Sequence, residues 1–141
     1  MSAAKLQRAF FDTNIFIYAD DDGEPKKQKI ARQLLSEYFS ANAGVISVQV
    51  LQEYANAAIR KLSIDPAAVS RKVELLSPYV DSLTLPEDVP QAINMHRLHG
   101  FSFWDSMLIH SARKSNCRIF FSEDTQHGRL IDNLRILNPF L

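Results

Sequence analysis

Four acidic residues lie where apolar or helical segments begin or end, and they are the side chains of this chain best suited to chemistry. Asp12 follows AFF, Glu53 lies within QEYANA, Asp105 follows FW, and Asp124 follows FFSE. An ionised carboxylate is rarely placed against a core without a partner, because burying an isolated charge is costly. Mg²⁺ and Mn²⁺ are suitable partners, since they take oxygen ligands and often share them with water and phosphate. We therefore expect a carboxylate cluster that acts with a divalent cation on a phosphodiester.

Asp12 and Glu53 also have structural explanations that involve no chemistry. Asp12 could satisfy local backbone groups in an Asx turn, a role that Asn14 could share. An acid directly after two phenylalanines is nevertheless an unusual choice for a turn alone. Glu53 lies about two turns into a predicted helix, and on its own it would be an ordinary solvated glutamate.

The two later acids each compete with a neighbouring explanation. Ser102 and Asp105 fit the capping box S-x-x-[DE], although the aromatic residues beside Asp105 would raise the pKa of its carboxyl unless a cation or donor stabilised it. Core packing explains those aromatic residues, Phe103 and Trp104, better than stacking on a nucleobase. Asp124 follows a strand that ends in FFS, and the adjacent Glu123 could equally be the acid that faces the site.

Hydrophobic periodicity predicts the elements that must position these acids. Strands are predicted near residues 8–12, 44–47, 79–85, 118–121 and 134–137. Helices are predicted to begin near residues 25, 48, 66, 87 and 102. The apolar stripe of the Glu53 helix is predicted to contain Val48, Leu51, Ala55, Ile59 and Leu62. This alternation favours an α/β fold in which a mostly parallel sheet of about five strands carries helices on both faces, with ligands bound at the carboxyl ends of the strands.

Length and composition favour one globular domain over residues 1–141. Of the 141 residues, 46% are hydrophobic and 23% are charged, as in ordinary folded domains. The single cysteine, Cys117, cannot form an internal disulfide, and we expect a reducing cytoplasm. The first residues form neither a signal peptide nor a membrane span.

The charge balance argues against long, nonspecific tracks for duplex DNA. Sixteen basic residues offset sixteen acidic ones, whereas proteins that grip duplex phosphates usually carry a basic excess. A local basic rim remains possible from Lys26, Lys27, Lys29, Arg60, Lys61, Arg113, Lys114, Arg118 and Arg129. A phospho-acceptor receiver domain is a weaker alternative, because that chemistry needs a lysine near the last strands and no lysine follows Lys114.

Four segments in order, DTNIFIYA, QEYANA, FWDSMLIHSA and SEDTQHG, resemble those of a PIN-domain protein. The resemblance extends from Asp12 to the final predicted strand. It implies a Rossmann-like parallel sheet, bound Mg²⁺ or Mn²⁺, and endonucleolytic hydrolysis of RNA. The family's acidic positions correspond to Asp12, Glu53, Asp105 and Asp124. The corresponding polar helpers are Thr13 or Asn14 and Ser122, with Glu123 as the alternative last acid.

PIN-domain proteins include the VapC-type toxin ribonucleases of type II toxin–antitoxin pairs. This resemblance implies a toxin with an RNA substrate, a cognate antitoxin protein and a homodimeric assembly. It implies no membrane partner. The alternative is a catalytically inactive module of the same fold that binds RNA or protein.

Overall fold

The computed structural model of the protein describes residues 6–141 and has an α/β fold around a five-stranded sheet. Residues 1–5, which belong to the predicted domain 1–141, lie outside the described residues. The strands are β1 (Ala9–Phe11), β2 (Gly44–Val45), β3 (Ile119–Phe121), β4 (Leu130–Ile131) and β5 (Leu134–Leu137). The helices are α1 (Thr13–Asp20), α2 (Pro25–Ser40), α3 (Val48–Arg60), α4 (Pro66–Leu76), α5 (Asp88–His99) and α6 (Phe103–Lys114), with a 3-10 helix at Ser77–Tyr79. Among residues 6–141, no helix is long and apolar enough to cross a membrane.

The sheet has the strand order β2-β1-β3-β5-β4, which confirms the predicted mostly parallel α/β fold. Strands β2, β1, β3 and β5 are parallel, and only β4 runs antiparallel to its neighbour β5. Because β2 and β3 lie on opposite sides of β1, the winding of the chain reverses beside β1. In open parallel sheets such a reversal creates a crevice at the carboxyl ends of the strands, where ligands bind.

The two central strands are held by aromatic side chains on both faces of the sheet. Phe10 stacks on Phe120 with ring centroids 5.4 Å apart. The next residues along each strand, Phe11 and Phe121, point to the other face and contact each other at 5.1 Å. On that face Phe11 packs against Phe16 of α1. Because every residue of β1 is fully buried, the sheet is covered on both sides, as predicted.

Helix α1 begins directly after β1, in a segment for which the sequence pattern predicts no helix. Its residues TNIFIYAD include β-branched and aromatic side chains that favour strands when taken alone. Asp12 overrides this preference because its side chain caps the helix by accepting a hydrogen bond from the Thr13 amide. Helical spacing then buries Ile15, Phe16 and Ala19 against the core.

The predicted strand at residues 79–85 is wrong. This segment makes a single parallel bridge, between Val80 and Ile46, and otherwise forms a connection to α5. Its alternating apolar residues do not mark a buried face, since Leu83 and Leu85 are 65% and 45% exposed. Alternation predicts a strand only where one face can be covered.

Gly44 in β2 provides a test of the packing around the aromatic core. A Cβ atom at this position would lie 2.7 Å from the ring of Phe39. That ring cannot retreat easily, because it packs against Phe11 at 5.2 Å and Tyr79 at 4.6 Å. We expect Gly44→Ala to lower the free energy of unfolding by about 1–3 kcal/mol, as overpacking does, in urea denaturation experiments.

The matched control repeats this substitution in a Phe39→Leu background. The smaller side chain leaves room for the new methyl group, so the destabilisation by Gly44→Ala should shrink. An equal loss of stability in both backgrounds would show that the contact with Phe39 is not responsible.

Candidate functional site

The acids identified in the sequence border one open cavity of about 930 Å³ at the carboxyl edge of the sheet. Of the predicted site residues, those that line it are Asp12, Thr13, Asn14, Glu53, Asp105, Glu123 and Asp124. Ser122 is fully buried and does not line the cavity, but its hydroxyl donates a hydrogen bond to the Asp12 carboxylate. The fold thus brings together Asp12, which follows β1, with residues of α1, α3, α6 and the segment after β3.

Asp12 is held at the end of β1 by contacts to three segments of the chain. Its backbone amide donates to the carbonyl of Phe121, which extends the pairing of β1 with β3. Its Oδ1 accepts from the Thr13 amide at 2.7 Å, and its Oδ2 accepts from the Ser122 hydroxyl at 2.6 Å. The residue is only 6% exposed. Both donors are neutral, so they orient the carboxylate without compensating its charge.

The pKa of Asp12 is raised to about 6, mainly by burial and in smaller part by the nearby carboxylates of Asp105 and Glu53, against the opposing effect of its two hydrogen bonds. The pKa of Asp105 is raised in the same way, first by burial and then by the charges of Asp124 and Glu53. The negative charges of these carboxylates therefore repel one another. Bringing a cation among them would relieve the repulsion.

Glu53 reaches the cavity from α3 and is held by two neutral donors. The Thr13 hydroxyl donates to Oε2 at 3.3 Å, and the side-chain amide of Gln49 donates to Oε1 at 2.8 Å. Gln49 lies one turn before Glu53, a spacing at which helical side chains meet. Thr13 therefore binds two acids at once, Asp12 through its amide and Glu53 through its hydroxyl.

The apolar stripe predicted for α3 is rotated around the helix relative to the face that the structure buries, and Leu51 is the predicted member that is buried. Val48 and Ile59 are 38% and 42% exposed, and Ala55 is only partly buried. The buried face consists of Val50, Leu51, Tyr54 and Ala58. The side that lines the cavity carries Glu53, Asn56, Ala57, Arg60 and Lys61, at the spacing of one helical face.

Asp105 lies in the first turn of α6, and its backbone role coexists with its place at the cavity. Its amide donates to the Ser102 hydroxyl at 3.1 Å, the predicted helix cap. The cap fixes where α6 begins, and the buried Leu108 and Ile109 fix which side of the helix faces the core. Asp105 is left half-buried at the cavity wall.

The rival acids Glu123 and Asp124 have different surroundings. Glu123 accepts from the Tyr18 hydroxyl at 2.5 Å and from the Lys27 ammonium at 2.7 Å, so a cation already compensates its charge. Asp124 accepts only from the neutral side-chain amide of Asn14, at 3.0 Å, and its own amide donates to Ser122. These contacts favour Asp124 over Glu123 as the acid with a charge still available to a ligand.

No Lys, Arg or His of the described chain forms an ion pair with Asp12, Glu53, Asp105 or Asp124. Within residues 6–141 there is also no group of three acidic, histidine or cysteine side chains close enough to hold a metal ion unaided. The missing ion pairs leave negative charge available to a cation, and a cation bound here would need water and substrate phosphate to complete its shell, as Mg²⁺ commonly does. The donor set, all oxygen, suits such hard cations.

Two contacts of the site escape the sequence reasoning. Tyr18 lies on the helix that the pattern does not predict, and its contact with Glu123 joins residues 105 positions apart. Gln49 could have been found from its position four residues before Glu53. Of the predicted basic rim, Arg60 and Lys61 line the cavity, and Lys27 instead binds Glu123.

Comparison with known proteins identifies relatives of this fold. The family model of the PIN domain matches residues 9–132. A chain from a toxin–antitoxin complex of Klebsiella pneumoniae superposes with a TM-score of 0.66 and 17% identity, over 93% of this chain and 97% of that one. VapC20 of Mycobacterium tuberculosis, a toxin that cleaves the sarcin–ricin loop, superposes with a TM-score of 0.63 and 21% identity, over 82% of this chain and 91% of that one. No curated protein matches the chain significantly in sequence.

The raised pKa of Asp12 predicts a pH-dependent effect of Asp12→Asn on stability without metal. A carboxyl whose pKa rises from 3.8 to about 6 on folding destabilises the folded state once it ionises. This cost is absent below the unfolded-state pKa, grows as the pH rises between the two values, and is complete above about 6. Between about pH 4 and about pH 7, the unfolding free energy of Asp12→Asn should improve relative to wild type by on the order of 1–3 kcal/mol.

Urea denaturation in the presence of a chelator measures this difference at each pH. The control is Glu74→Gln, which changes an exposed acid of α4 outside the cavity and should follow the wild type throughout. A difference between Asp12→Asn and wild type that stays constant with pH would contradict the electrostatic interpretation.

Proposed function

Because the chain belongs to the PIN-domain family, we propose that it is a metal-dependent endoribonuclease that hydrolyses phosphodiester bonds in RNA. One observation carries this proposal. Asp12, Glu53, Asp105 and Asp124 border one cavity, and none of them has an ion-pair partner among the described residues. A set of carboxylates left without compensation in this way is suited to a divalent cation and its phosphate ligand.

A cation would be held by one or two carboxylates at a time from the set Asp12, Glu53, Asp105 and Asp124, with water and the RNA phosphate as its other ligands. When bound it would polarise the scissile phosphate and lower the pKa of an attacking water. The neighbouring polar residues orient these acids. Ser122 and the Thr13 amide fix Asp12, and Asn14 fixes Asp124. Since their hydrogen bonds are made before any ligand arrives, the carboxylates need little reorganisation.

The opposite end of the cavity offers positive charge to the rest of the RNA backbone. Arg60 and Lys61 lie at the end of α3, and they line the same cavity as Glu53. Arg60 is seven positions after Glu53, so the two lie about 10 Å apart along the helix. A phosphate at the acid end and a neighbouring phosphate at the basic end would lie on one face of α3. Such short contacts suit a chain with no net charge.

Within this function, we propose that the protein acts as the toxin of a toxin–antitoxin pair in the cytoplasm. Support comes from the shared fold with a chain of the Klebsiella toxin–antitoxin complex and with VapC20. A cognate antitoxin would cover the cavity, where a basic side chain could pair with the carboxylates, since arginine binds carboxylates bidentately. We also propose a homodimer that presents two such cavities.

A catalytically inactive PIN-fold module that binds RNA or protein is the alternative. The presence of all four acids in one cavity weighs against it, because a purely binding site for an anionic strand gains nothing from gathered carboxylates.

Three isosteric substitutions test the nuclease and the assignment of its last acid. Asp12→Asn and Asp124→Asn each remove a proposed ligand charge, whereas Glu123→Gln removes a charge already paired with Lys27. Since changes outside the ligand shell cost about 10- to 100-fold, each Asp→Asn change should lower metal-dependent cleavage by more than about 100-fold. Glu123→Gln should lose less than about tenfold.

Cleavage is measured with purified protein, Mg²⁺ or Mn²⁺, and a mixed pool of labelled RNA, and circular dichroism verifies the fold of each variant. Unchanged cleavage by Asp12→Asn would eliminate the proposed nuclease. Equal losses in Asp124→Asn and Glu123→Gln would leave the nuclease standing and refute the choice of Asp124.

The toxin proposal predicts a growth defect that depends on the active site. Expression of the wild-type chain alone in a bacterial host should slow growth, and expression of Asp12→Asn to the same level should not. Growth curves with matched protein levels measure the difference. A wild-type protein that cleaves RNA in vitro but is harmless and monomeric at micromolar concentration would refute the toxin and leave the nuclease.

A further inference from the structure

Trp104 is the only tryptophan of the chain, and the structure leaves it on the surface beside the acids. The apolar surroundings in the sequence predict that this ring packs in the core, and this prediction is wrong, since Trp104 is 65% exposed. Tryptophan is on average a highly buried residue, because its large ring gains from leaving water. An exposed ring next to a proposed catalytic site therefore requires an explanation from function.

Hydrogen bonds connect Trp104 to the acid cavity. It occupies the second position of α6, immediately before Asp105, so the two Cα atoms are about 3.8 Å apart. The side-chain amide of Gln49 donates to the Trp104 carbonyl at 3.3 Å, and the same amide donates to Glu53 at 2.8 Å. The backbone of Trp104 is thus joined through Gln49 to Glu53 and directly precedes Asp105, while its side chain lies outside the lining of the cavity.

The indole is also restrained without being covered. Phe103 contacts it with ring centroids 5.0 Å apart and an angle of 73° between the ring planes. The cap of Ser102 on Asp105 fixes the backbone of this first turn. A flat apolar ring is therefore presented to solvent in a limited range of orientations, which lowers the entropy that a ligand would have to remove.

The chemistry of the surroundings identifies the occupant. The charged groups nearest along these contacts, Asp105 and Glu53, are negative, so an anionic backbone would not be attracted to the ring itself. A nucleobase is neutral and has a flat face, and stacking on an aromatic side chain needs no particular base. The base must be unpaired, since the bases of a double helix are already stacked inside it.

We infer that Trp104 stacks on an unpaired nucleobase of the RNA strand, next to the phosphate at the acid cavity. This inference rests on the proposed ribonuclease function and makes it more specific, because it assigns one residue of this chain, Trp104, to binding of a base beside the acids. The ring acts in binding and takes no part in the chemical step.

The single tryptophan allows the contact to be observed directly. Wild-type protein is mixed with Mg²⁺ and a short single-stranded oligoribonucleotide in a stopped-flow fluorimeter, and the signal is read before cleavage proceeds. Stacking should quench the indole emission, and the same oligonucleotide annealed to its complement should quench it less. The signal assigns the contact to Trp104 because no other tryptophan contributes.

Steady-state cleavage of the single-stranded substrate then separates binding from structure. Trp104→Ala should raise KM about 5- to 100-fold with kcat little changed, whereas Trp104→Phe, which keeps an aromatic face, should recover most of the loss. The matched control is Leu75→Ala, which removes an exposed apolar side chain of α4 that does not line the cavity.

Each other outcome has a distinct meaning. A wild type that cleaves RNA without indole quenching, together with unchanged KM in Trp104→Ala, overturns the stacking and leaves the nuclease intact. Emission that changes with protein concentration but not with RNA places the ring in a protein interface and also overturns it. A wild type that neither binds nor cleaves RNA overturns the proposed function and this inference with it.

Discussion

The carboxylate of Asp12 accepts hydrogen bonds from the Thr13 amide and the Ser122 hydroxyl, and these two contacts join β1, α1 and the segment after β3. The hydrogen bond from the Thr13 amide caps α1, so the helix begins where β1 ends. The second holds the end of β3 against β1 at the reversal of winding. Asp12 also lines the cavity, so the residue that organises this corner of the fold is also part of the proposed site.

The protein compensates its acids in two different ways. Asp88 is also buried, yet it binds Lys114 and His110 and accepts from the Leu85 amide, and together these contacts hold the pKa of its carboxyl far below the usual range. Asp12 has only neutral donors, and its pKa is raised. Paired charges tie elements together, whereas carboxylates gathered without cations oppose folding and become favourable only when a ligand supplies positive charge. The contrast separates structural acids from candidate ligands.

Local sequence patterns predict the parallel sheet and the position of Asp12, because a short apolar run that ends in an acid marks the carboxyl end of a buried strand. They fail where distant contacts decide. The segment TNIFIYAD has strand-like composition but forms α1, which buries Ile15, Phe16 and Ala19 in a core built by distant segments. The rivalry between Glu123 and Asp124 cannot be resolved locally, since Lys27, which distinguishes them, lies 96 residues away in sequence. Which face of α3 is buried depends likewise on the elements that pack against it.

Helix α3 ties the separate parts of the cavity to one another. Its first turns carry Gln49, which binds both Glu53 and the carbonyl of Trp104, and its last turn carries Arg60 at the far wall. A helix is stiff over this length, so the acid end and the basic end keep a spacing of about 10 Å whatever the surrounding loops do. Because the neighbouring residue Tyr54 is buried and donates a hydrogen bond to Asp20 of α1, the core fixes the rotation of α3 and so the direction of its cavity face. The packing of one apolar stripe therefore determines how far apart a strand of RNA would meet the acids and the basic residues.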